Sequence, residues 1–407
     1  MKKTNFMRFA FFGTAILLFS ACSNEESVDL NSSLIEESEV VLQQSQVIEG
    51  SYIVVFDTKI TGDLGKKYGN DYKAAKLAVV SEAQKMFSEN SIVDFEIKQS
   101  YGKVLNGVAA KLSKADVEKL AKDKRVKYIE EDQLVTLAPG GKPGSGGGSA
   151  AQEIPWGITR VNGVSSYTGS AVAWVIDTGI DLDHPDLNVD AARGFNAFTT
   201  GRDAGAPDDG NGHGSHVAGT IGALNNTIGV IGVAPGATVI PIKVLDSRGS
   251  GSYSGVIAGV DHVAANGKSG DVANMSLGGP VSQALDDAIL IASNKGIKFA
   301  LAAGNEGTDA NLSSPARVNG TNIFTISAMS NGDNWASFSN FGNPPVDFCA
   351  PGVAIKSTWK GGAYNTISGT SMASPHAAGV LLLGAVANTG GTVKGDPDGT
   401  ADPIIVH

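Results

Sequence analysis

The sequence VAWVIDTG, residues 172–179, decides the fold of the larger part of this chain. Its apolar residues run without interruption to Asp177, and further apolar runs follow at residues 239–245 and 299–303. Gly-rich loops and Ala-rich helical stretches separate the three runs. Continuous apolar strands that alternate with helices are typical of a parallel sheet with both faces covered. The sequence therefore predicts an α/β domain with three α/β/α layers around a mainly parallel sheet.

Asp177 is the first candidate functional residue because it ends an apolar strand. Ligands of open parallel sheets bind beyond the carboxyl ends of the strands. An aspartate followed by Thr178 and Gly179 also closes a turn, so both interpretations stay open at this point.

His213 is the second candidate, in the sequence NGHGSHVAG of residues 211–219. Glycines on both sides let the backbone approach the imidazole closely. His216 follows three residues later, whereas a zincin site needs histidines four residues apart with a glutamate between them. The spacing argues against a metal pair, and we expect His216 to be a structural histidine, hydrogen-bonded below the site.

Ser371 is the third candidate, in the sequence GTSMASPH of residues 369–376, at the start of a helical stretch. A serine at a helix start is often only a cap, but a nucleophilic serine gains from the positive end of the helix dipole. Ala373 replaces the second glycine of the G-x-S-x-G motif. The order Asp, His, Ser also differs from that of the α/β-hydrolases.

These motifs in this order resemble the subtilisin-like serine proteases over most of residues 152–385. Residues 155–158 and 249–254 are most similar to the proteinase K branch. The resemblance implies a secreted serine endopeptidase that works through an acyl-enzyme, with Ser371 as nucleophile, His213 as general base and Asp177 orienting His213. Asn305 would donate to the oxyanion together with the Ser371 backbone N–H; from local sequence alone, Asn305 is a turn residue after a strand.

The resemblance also implies where a peptide or protein substrate binds. The expected contacts are Gly249, Ser250 and Gly251, then Ser276, Leu277 and Gly278, and a pocket of Ala302, Ala303 and Gly304. Small residues in the pocket predict broad specificity with a preference for large hydrophobic side chains. Two alternatives stay open: a transpeptidase on the same triad, and an inactive scaffold that acts as a surface binding module.

A small domain precedes these motifs. Strand-like runs at residues 52–56, 94–99, 107–112 and 126–129 alternate with helical stretches at 71–89 and 113–122. This βαββαβ order predicts a ferredoxin-like α+β fold. It resembles the inhibitor-type propeptide of subtilases over most of residues 48–137, while a plain structural or binding module is the other interpretation.

An intramolecular inhibitor makes two further predictions. The segment near residues 132–138 should lie in the cleft like a product. The Gly-rich residues 138–151 should form a flexible linker that is accessible to proteolysis before a peptidase domain at 152–407.

The N-terminus resembles a bacterial lipoprotein signal. Lys2, Lys3 and Arg8 precede an apolar run at residues 9–19, which is short for a membrane span, and Cys22 follows. The resemblance implies a signal peptide at residues 1–21, a lipid on Cys22 and a tether at 22–47. We expect a protein of the bacterial cell envelope, lipid-anchored or secreted, that meets the membrane through its lipid only. The alternative is an ordinary cleaved signal with an incidental cysteine.

Composition excludes two classes of protein. A net charge of −10 argues against a nucleic-acid partner, and two cysteines exclude a disulfide-rich scaffold. Cys349 lies in an apolar stretch, so we expect it to be buried. The expected chemistry requires no cofactor. Subtilases often bind calcium, and Asp347 falls at a ligand position of one member, but an insertion around residues 319–320 leaves the metal open. Residues 388–407 have no predicted function.

Overall fold

The structure is a computed structural model that describes residues 47–137, 151–384 and 388–407. The predicted signal peptide and Cys22 lie outside the described residues, as do the tether and linker apart from Val47 and Ala151. No helix within the described ranges is long and apolar enough to cross a membrane.

The N-terminal domain, residues 47–137, has the predicted ferredoxin-like fold. Its strands are β1 (Val47–Phe56), β2 (Glu96–Tyr101), β3 (Gly107–Lys111) and β4 (Val126–Thr136). They form an antiparallel sheet in the order β2-β3-β1-β4. Its helices are α1 (Thr58–Thr61), α2 (Leu64–Lys67), α3 (Tyr72–Glu89) and α4 (Lys114–Leu120).

Side-chain caps explain where these helices begin. Asp71 accepts a hydrogen bond from the Ala74 amide at the start of α3, and Ser113 accepts one from the Asp116 amide at the start of α4. The one-turn helices α1 and α2 were not predicted, although Asp57 and Asp63 cap them in the same way. Strand β4 continues to Thr136 instead of ending at residue 129, because its last residues pair with a strand of the other domain.

The large domain, residues 151–384 and 388–407, confirms the predicted α/β fold. Its strands are β5 (Ala173–Asp177), β6 (Phe195–Asn196), β7 (Val239–Lys243), β8 (Ser250–Ser252), β9 (Val272–Met275), β10 (Gly279–Pro280), β11 (Lys298–Ala302), β12 (Ser313–Ser314), β13 (Ile323–Ser330), β14 (Asn334–Trp335), β15 (Val346–Pro351), β16 (Ile355–Trp359), β17 (Ala363–Ile367), β18 (Asn388–Thr392) and β19 (Pro403–Val406). Its α-helices are α5 (Trp156–Arg160), α6 (His213–Gly222), α7 (Tyr253–Asn266), α8 (Gln283–Ser293) and α9 (Thr370–Leu383), with single 3₁₀ turns at Ala191–Arg193 and Ala310–Leu312.

The main sheet has the order β18-β19-β15-β13-β11-β9-β5-β7-β6, and β14 pairs with β13. Its central strands are all parallel. Alternate residues of one strand face opposite layers: Trp174 and Ile176 pack with α7 and α8, whereas Ala173 and Val175 pack with α6 and α9. The sheet is therefore covered on both faces, and its carboxyl ends lie at one edge.

The segment at residues 388–407, for which no function was predicted, contributes to this sheet. Strands β18 and β19 form an antiparallel pair, and β19 extends the sheet beside β15, with Ile404 opposite Cys349. Cys349 is fully buried as predicted, and burial raises the pKa of its thiol. The apolar Ile404 and Val406 pack around it, so this segment closes an edge of the core.

Candidate active site

Three separate elements bring the predicted triad residues to the carboxyl edge of the sheet. Asp177 is the last residue of β5, His213 is the first of α6, and Ser371 is the second of α9. Asp177 is fully buried, while His213 and Ser371 are each 8% exposed. Both helices thus begin at the edge where a parallel sheet places its ligands.

Asp177 and His213 form a close pair. The Nδ1 atom of His213 lies 2.8 Å from Oδ1 and 3.0 Å from Oδ2 of Asp177. The Thr178 amide donates to Oδ1 of the same carboxylate at 2.7 Å. Burial alone would lower the pKa of His213, but the carboxylates of Asp177 and Asp209 outweigh it, and the pKa is raised. His213 is therefore suited to accept a proton while remaining shielded from water.

Ser371 lies against one of the predicted substrate-binding segments. Its Oγ donates to the Ser276 carbonyl oxygen at 3.2 Å, and no hydrogen bond joins it to His213 within the part of the chain that the structure describes. The Ser276 hydroxyl in turn donates to the Ser371 carbonyl oxygen at 2.8 Å. Catalytic hydrogen bonds often tighten only when substrate binds, so this arrangement is compatible with a Ser371–His213 pair in the substrate complex.

The side-chain amide of Asn305 has a fixed orientation. Its Oδ1 accepts hydrogen bonds from the Thr370 backbone N–H at 2.8 Å and from the Thr370 hydroxyl at 2.9 Å. Nδ2 therefore points the other way. A Cβ built on Gly369 would lie 3.4 Å from that Nδ2 and 3.6 Å from the Ser371 backbone nitrogen. Both nitrogen atoms thus lie close to one point beside Gly369, two residues before Ser371.

The end of β4 occupies the cleft between the two predicted substrate segments. The pairs are Val135 with Gly251, Thr136 with Ser250, and Thr136 with Gly278. The Leu137 N–H then donates to the Gly249 carbonyl oxygen at 2.9 Å. An extended strand from the N-terminal domain therefore lies between both segments and pairs with them through its backbone.

The remaining predicted site residues differ in whether their side chains are buried in the core. Leu277 packs into the hydrophobic core, and Ala303 packs with Ala310 and Ala316. Both residues therefore contribute their backbone, and not their side chain, to the predicted substrate site. Ala302 is 6% exposed at the end of β11. Gly304 has a φ of 110°, and a Cβ there would collide with the Asn340 amide, so a glycine is required.

Comparisons with known proteins agree with this geometry. The profile of the Subtilase family matches residues 168–393, and that of the peptidase inhibitor I9 matches residues 51–138. The chain belongs to the subtilase family.

Relatives span most of this subtilase. Subtilisin NAT of Bacillus subtilis subsp. natto is 42% identical over 328 residues, which is 78% of this chain and 80% of that protein. The extracellular serine proteinase of Thermus sp. (strain Rt41A) is 38% identical over 384 residues, 90% of this chain and 87% of that protein. A crystal structure of a cold adapted subtilisin-like serine proteinase is similar with a TM-score of 0.54 and 39% identity, over 62% of this chain and 97% of the other. The chain is accordingly a serine endopeptidase that carries its own inhibitor domain.

Two further histidines of the subtilase lie near the triad. His216 is fully buried, its Nε2 bonds to the Ile355 carbonyl oxygen at 3.0 Å, and burial lowers its pKa to about 3. His376 bonds through Nδ1 to the Met372 carbonyl oxygen at 2.8 Å, and burial lowers its pKa to about 4. Both rings are neutral and held by backbone, which confirms the structural role predicted for His216.

The described residues around Asp347 do not form a carboxylate cage for calcium. Its Oδ2 accepts the Thr325 N–H at 2.9 Å, and burial raises its pKa to about 6. No group of three or more His, Cys, Asp or Glu side chains that could hold a metal occurs in the described ranges. A structural calcium ion stays a prediction, and no step below involves one.

Sequence analysis missed three polar residues of this subtilase's site. Thr370 orients Asn305, as described above. Asp209 is a buried carboxylate four residues before His213. Lys243 is 2% exposed and donates to the carbonyl oxygens of Thr178 at 2.7 Å and Leu245 at 3.2 Å. A lysine inside the apolar run at 239–245 was the available signal for Lys243. No comparable signal in the sequence pointed to Asp209, because acidic residues near glycine are common in loops.

Proposed function

We propose that this chain is the precursor of a secreted serine endopeptidase whose catalytic triad is Asp177, His213 and Ser371. The observation that carries the proposal is the buried Asp177 carboxylate, 2.8 Å from Nδ1 of His213, at the sheet edge where Ser371 begins a helix. A serine hydroxyl is a poor nucleophile without such a base.

The proposed mechanism follows from these positions. Ser371 Oγ attacks the scissile carbonyl carbon while His213 Nε2 takes the hydroxyl proton, and a tetrahedral oxyanion forms. Nδ2 of Asn305 and the Ser371 N–H donate to that oxyanion. His213 passes its proton to the leaving amine, leaving an acyl-enzyme. Water then attacks the ester carbonyl carbon while His213 Nε2 takes one of its protons. The second tetrahedral intermediate breaks its bond to Ser371 Oγ, which regains a proton from His213, and the carboxylic acid product leaves. Asp177 stays ionised, holds the ring with its proton on Nδ1 and stabilises the imidazolium.

Backbone pairing supports broad specificity. The strand at residues 135–137 is held in the cleft by its main chain, and such pairing tolerates many side chains. We propose that Ala302 and Gly304, with the backbone of Ala303, border an apolar pocket for the side chain before the cut bond. The proteinase K-like stretches at 155–158 and 249–254 support a place in that branch.

The N-terminal domain is proposed to act as an intramolecular inhibitor that self-cleavage separates from the enzyme. Its last strand pairs in the cleft up to Thr136, and the Leu137 N–H extends that pairing by one hydrogen bond. The Gly-rich residues 138–151 follow directly in the sequence, so the proposed cut falls in that linker.

Lipid anchoring through Cys22 is proposed from sequence alone. The basic start, the short apolar run and the cysteine after small residues support it. Replacing Cys22 by Ala should move the protein from the membrane fraction to the soluble fraction. Wild type that incorporates no radioactive fatty acid would refute the anchor and leave an ordinary secretion signal.

Labelling with a fluorophosphonate tests the triad directly. Matured wild type should form a covalent adduct on Ser371, identified by peptide mass spectrometry, and should hydrolyse a peptide anilide. Ser371→Ala should do neither. Wild type that stays unlabelled would favour the surface binding module. Products that shift from hydrolysis to ligation with excess peptide amine would favour the transpeptidase.

A further inference from the structure

Asp209 is a buried carboxylate that the proposed mechanism does not use. It is 5% exposed in the loop before α6. Five donors surround it: the Thr178 hydroxyl at 2.8 Å, the Asn211, Gly212 and Ser215 amides at 2.8–2.9 Å, and the Ser215 hydroxyl at 2.6 Å. All five donors are neutral, and no Lys or Arg forms an ion pair with it among the described residues. Its negative charge is thus solvated by fixed protein dipoles and left unneutralised.

These hydrogen bonds join the two elements that carry the acid–base pair. Thr178 directly follows Asp177, and its amide donates to the Asp177 carboxylate at 2.7 Å. The Thr178 hydroxyl donates to Asp209 and accepts from the Gly214 N–H at 2.9 Å, one residue after His213. The end of β5 and the start of α6 are therefore connected through one carboxylate.

The charges that face His213 show what Asp209 adds. Asp177 faces it from β5, and Asp209 from the preceding loop; both raise its pKa against the opposing effect of burial. His216, on the same helix, is neutral because burial lowers its pKa to about 3. On β7, Lys243 directs its ammonium to the Thr178 carbonyl oxygen and lies 3.5 Å from Asp203. Asp209 is thus the second anion acting on the base.

We propose that Asp209 is a positioning residue of the reaction. It holds the side chains of Asp177 and His213 in place relative to each other, and its charge favours the imidazolium that forms when Ser371 loses its proton. This inference rests on the triad proposed above. It goes beyond that triad because it gives a role to a group that never touches substrate.

Asp209→Asn removes the charge while nearly keeping the shape, and Asp208→Asn is the matched control. Asp208 is the adjacent carboxylate, it is exposed, and it does not contribute to the pKa shift of His213.

Rates are measured per active site after titration, on enzyme matured from the full chain. For Asp209→Asn we expect kcat to fall about 10- to 100-fold, because small misplacements of catalytic groups have effects of this size. KM should stay within about twofold, and the acid limb of kcat/KM should move to lower pH, since kcat/KM reports ionisation of the free enzyme. The control should match wild type. An unchanged kcat and acid limb in Asp209→Asn would overturn the proposal.

A second pair of variants tests the proposal if Asp209→Asn does not fold. That failure is a risk because the NH₂ group of the new amide can face the Ser215 N–H, which is also a donor. Thr178→Val removes the connecting hydroxyl and keeps the volume, whereas Thr178→Ser keeps the hydroxyl. Lower kcat in the Val variant with recovery in the Ser variant supports the proposal. Wild-type kcat in Thr178→Val would overturn it.

Titration of His213 by NMR in the full-length Ser371→Ala protein separates this inference from the proposed function, because it needs no activity. Adding Asp209→Asn to that protein should move the His213 titration to lower pH, and Asp208→Asn should not. If wild type proves inactive, the proposed function fails, yet this comparison still decides whether Asp209 acts on His213. An unmoved titration would refute that action.

Discussion

Removing the Asp132 carboxylate should weaken the binding of the inhibitor domain to the enzyme. Asp132 lies on β4, is 2% exposed and caps the start of α7 from the other domain. Its Oδ1 accepts the Ser254 N–H at 3.0 Å, and its Oδ2 accepts the hydroxyls of Ser254 at 2.6 Å and Ser51 at 3.1 Å. The Ser254 amide lies in the first turn of α7, where amides have no partner inside the helix.

The size of the effect follows from these contacts. Asp132→Ala leaves the buried amide and hydroxyl of Ser254 without the carboxylate, and each unsatisfied polar group costs about 1–3 kcal/mol. Water that enters the gap offsets part of that cost, so we take about 2–4 kcal/mol for the pair. At about 1.4 kcal/mol per factor of ten, inhibition should weaken about 30- to 700-fold.

The assay is inhibition of the matured enzyme by separately produced residues 47–137. Glu131→Ala is the matched control, because Glu131 is the neighbouring carboxylate and is exposed. Circular dichroism must first show that each variant domain is folded. An inhibition constant for Asp132→Ala within about threefold of the unsubstituted domain would show that the carboxylate does not hold the interface.

Three further predictions concern the site and its inhibitor. Asn305→Ala should lower kcat about 10²–10³-fold, the range measured in subtilisin for loss of one oxyanion donor, with little change in KM; steady-state kinetics in which only KM rises would contradict the role. Ser371→Ala should stay full length after signal removal in a protease-deficient host, because loss of the nucleophile in subtilisin lowers kcat about 10⁶-fold; maturation at the wild-type rate by electrophoresis would assign processing to another group or protease. Inhibition should weaken as pH rises: burial raises the pKa of Glu130, Asp132 and Asp261, whose carboxylates contact the other domain, and burial together with the Glu130 charge raises that of Asp286 to about 6. A carboxyl whose pKa is raised in the complex binds protons on association, so the complex is strongest near pH 4 and weakens through about pH 6. The test is calorimetry at pH 5 and 8 with residues 47–137 and a Ser371→Ala large domain that added wild-type enzyme has processed in trans. Equal affinities at the two pH values would rule this prediction out.

Local motifs were sufficient to predict the fold and to select the three residues of the proposed triad. Asp177 ends an apolar run, and His213 and Ser371 each begin a helical stretch beside glycine, so each signal is contained within a few residues. The extension of β4 was missed because Glu130, Glu131 and Asp132 suggest the end of a strand when considered locally. Their partners, the start of α7 and the Ala284 amide at the start of α8, lie more than 100 residues away. Asp209 was missed because an acidic residue beside glycine is common in loops, and only its bond to Thr178, 31 residues away, reveals its link to the end of β5.

The interface contacts connect inhibition to folding. Glu130 accepts the Ala284 N–H at 3.0 Å and Asp132 accepts the Ser254 N–H, so β4 completes the first turns of both α8 and α7. In return, Asp261 on α7 accepts the amides of Gly102, Lys103 and Val104.

These two helices cover one face of the parallel sheet, and a sheet built from such non-local pairings is slow to form. A small antiparallel domain with its own core forms from closer contacts and presents these caps together. We infer that it favours the pair of helices as neighbours before the sheet is complete. After processing, the amides at the starts of α7 and α8 and the Asp261 carboxylate lose their partners in the small domain. Water can replace those hydrogen bonds at a surface. On this inference the same contacts help the large domain to form while the cleft is blocked, and the groups that they join become accessible to water once the small domain is removed.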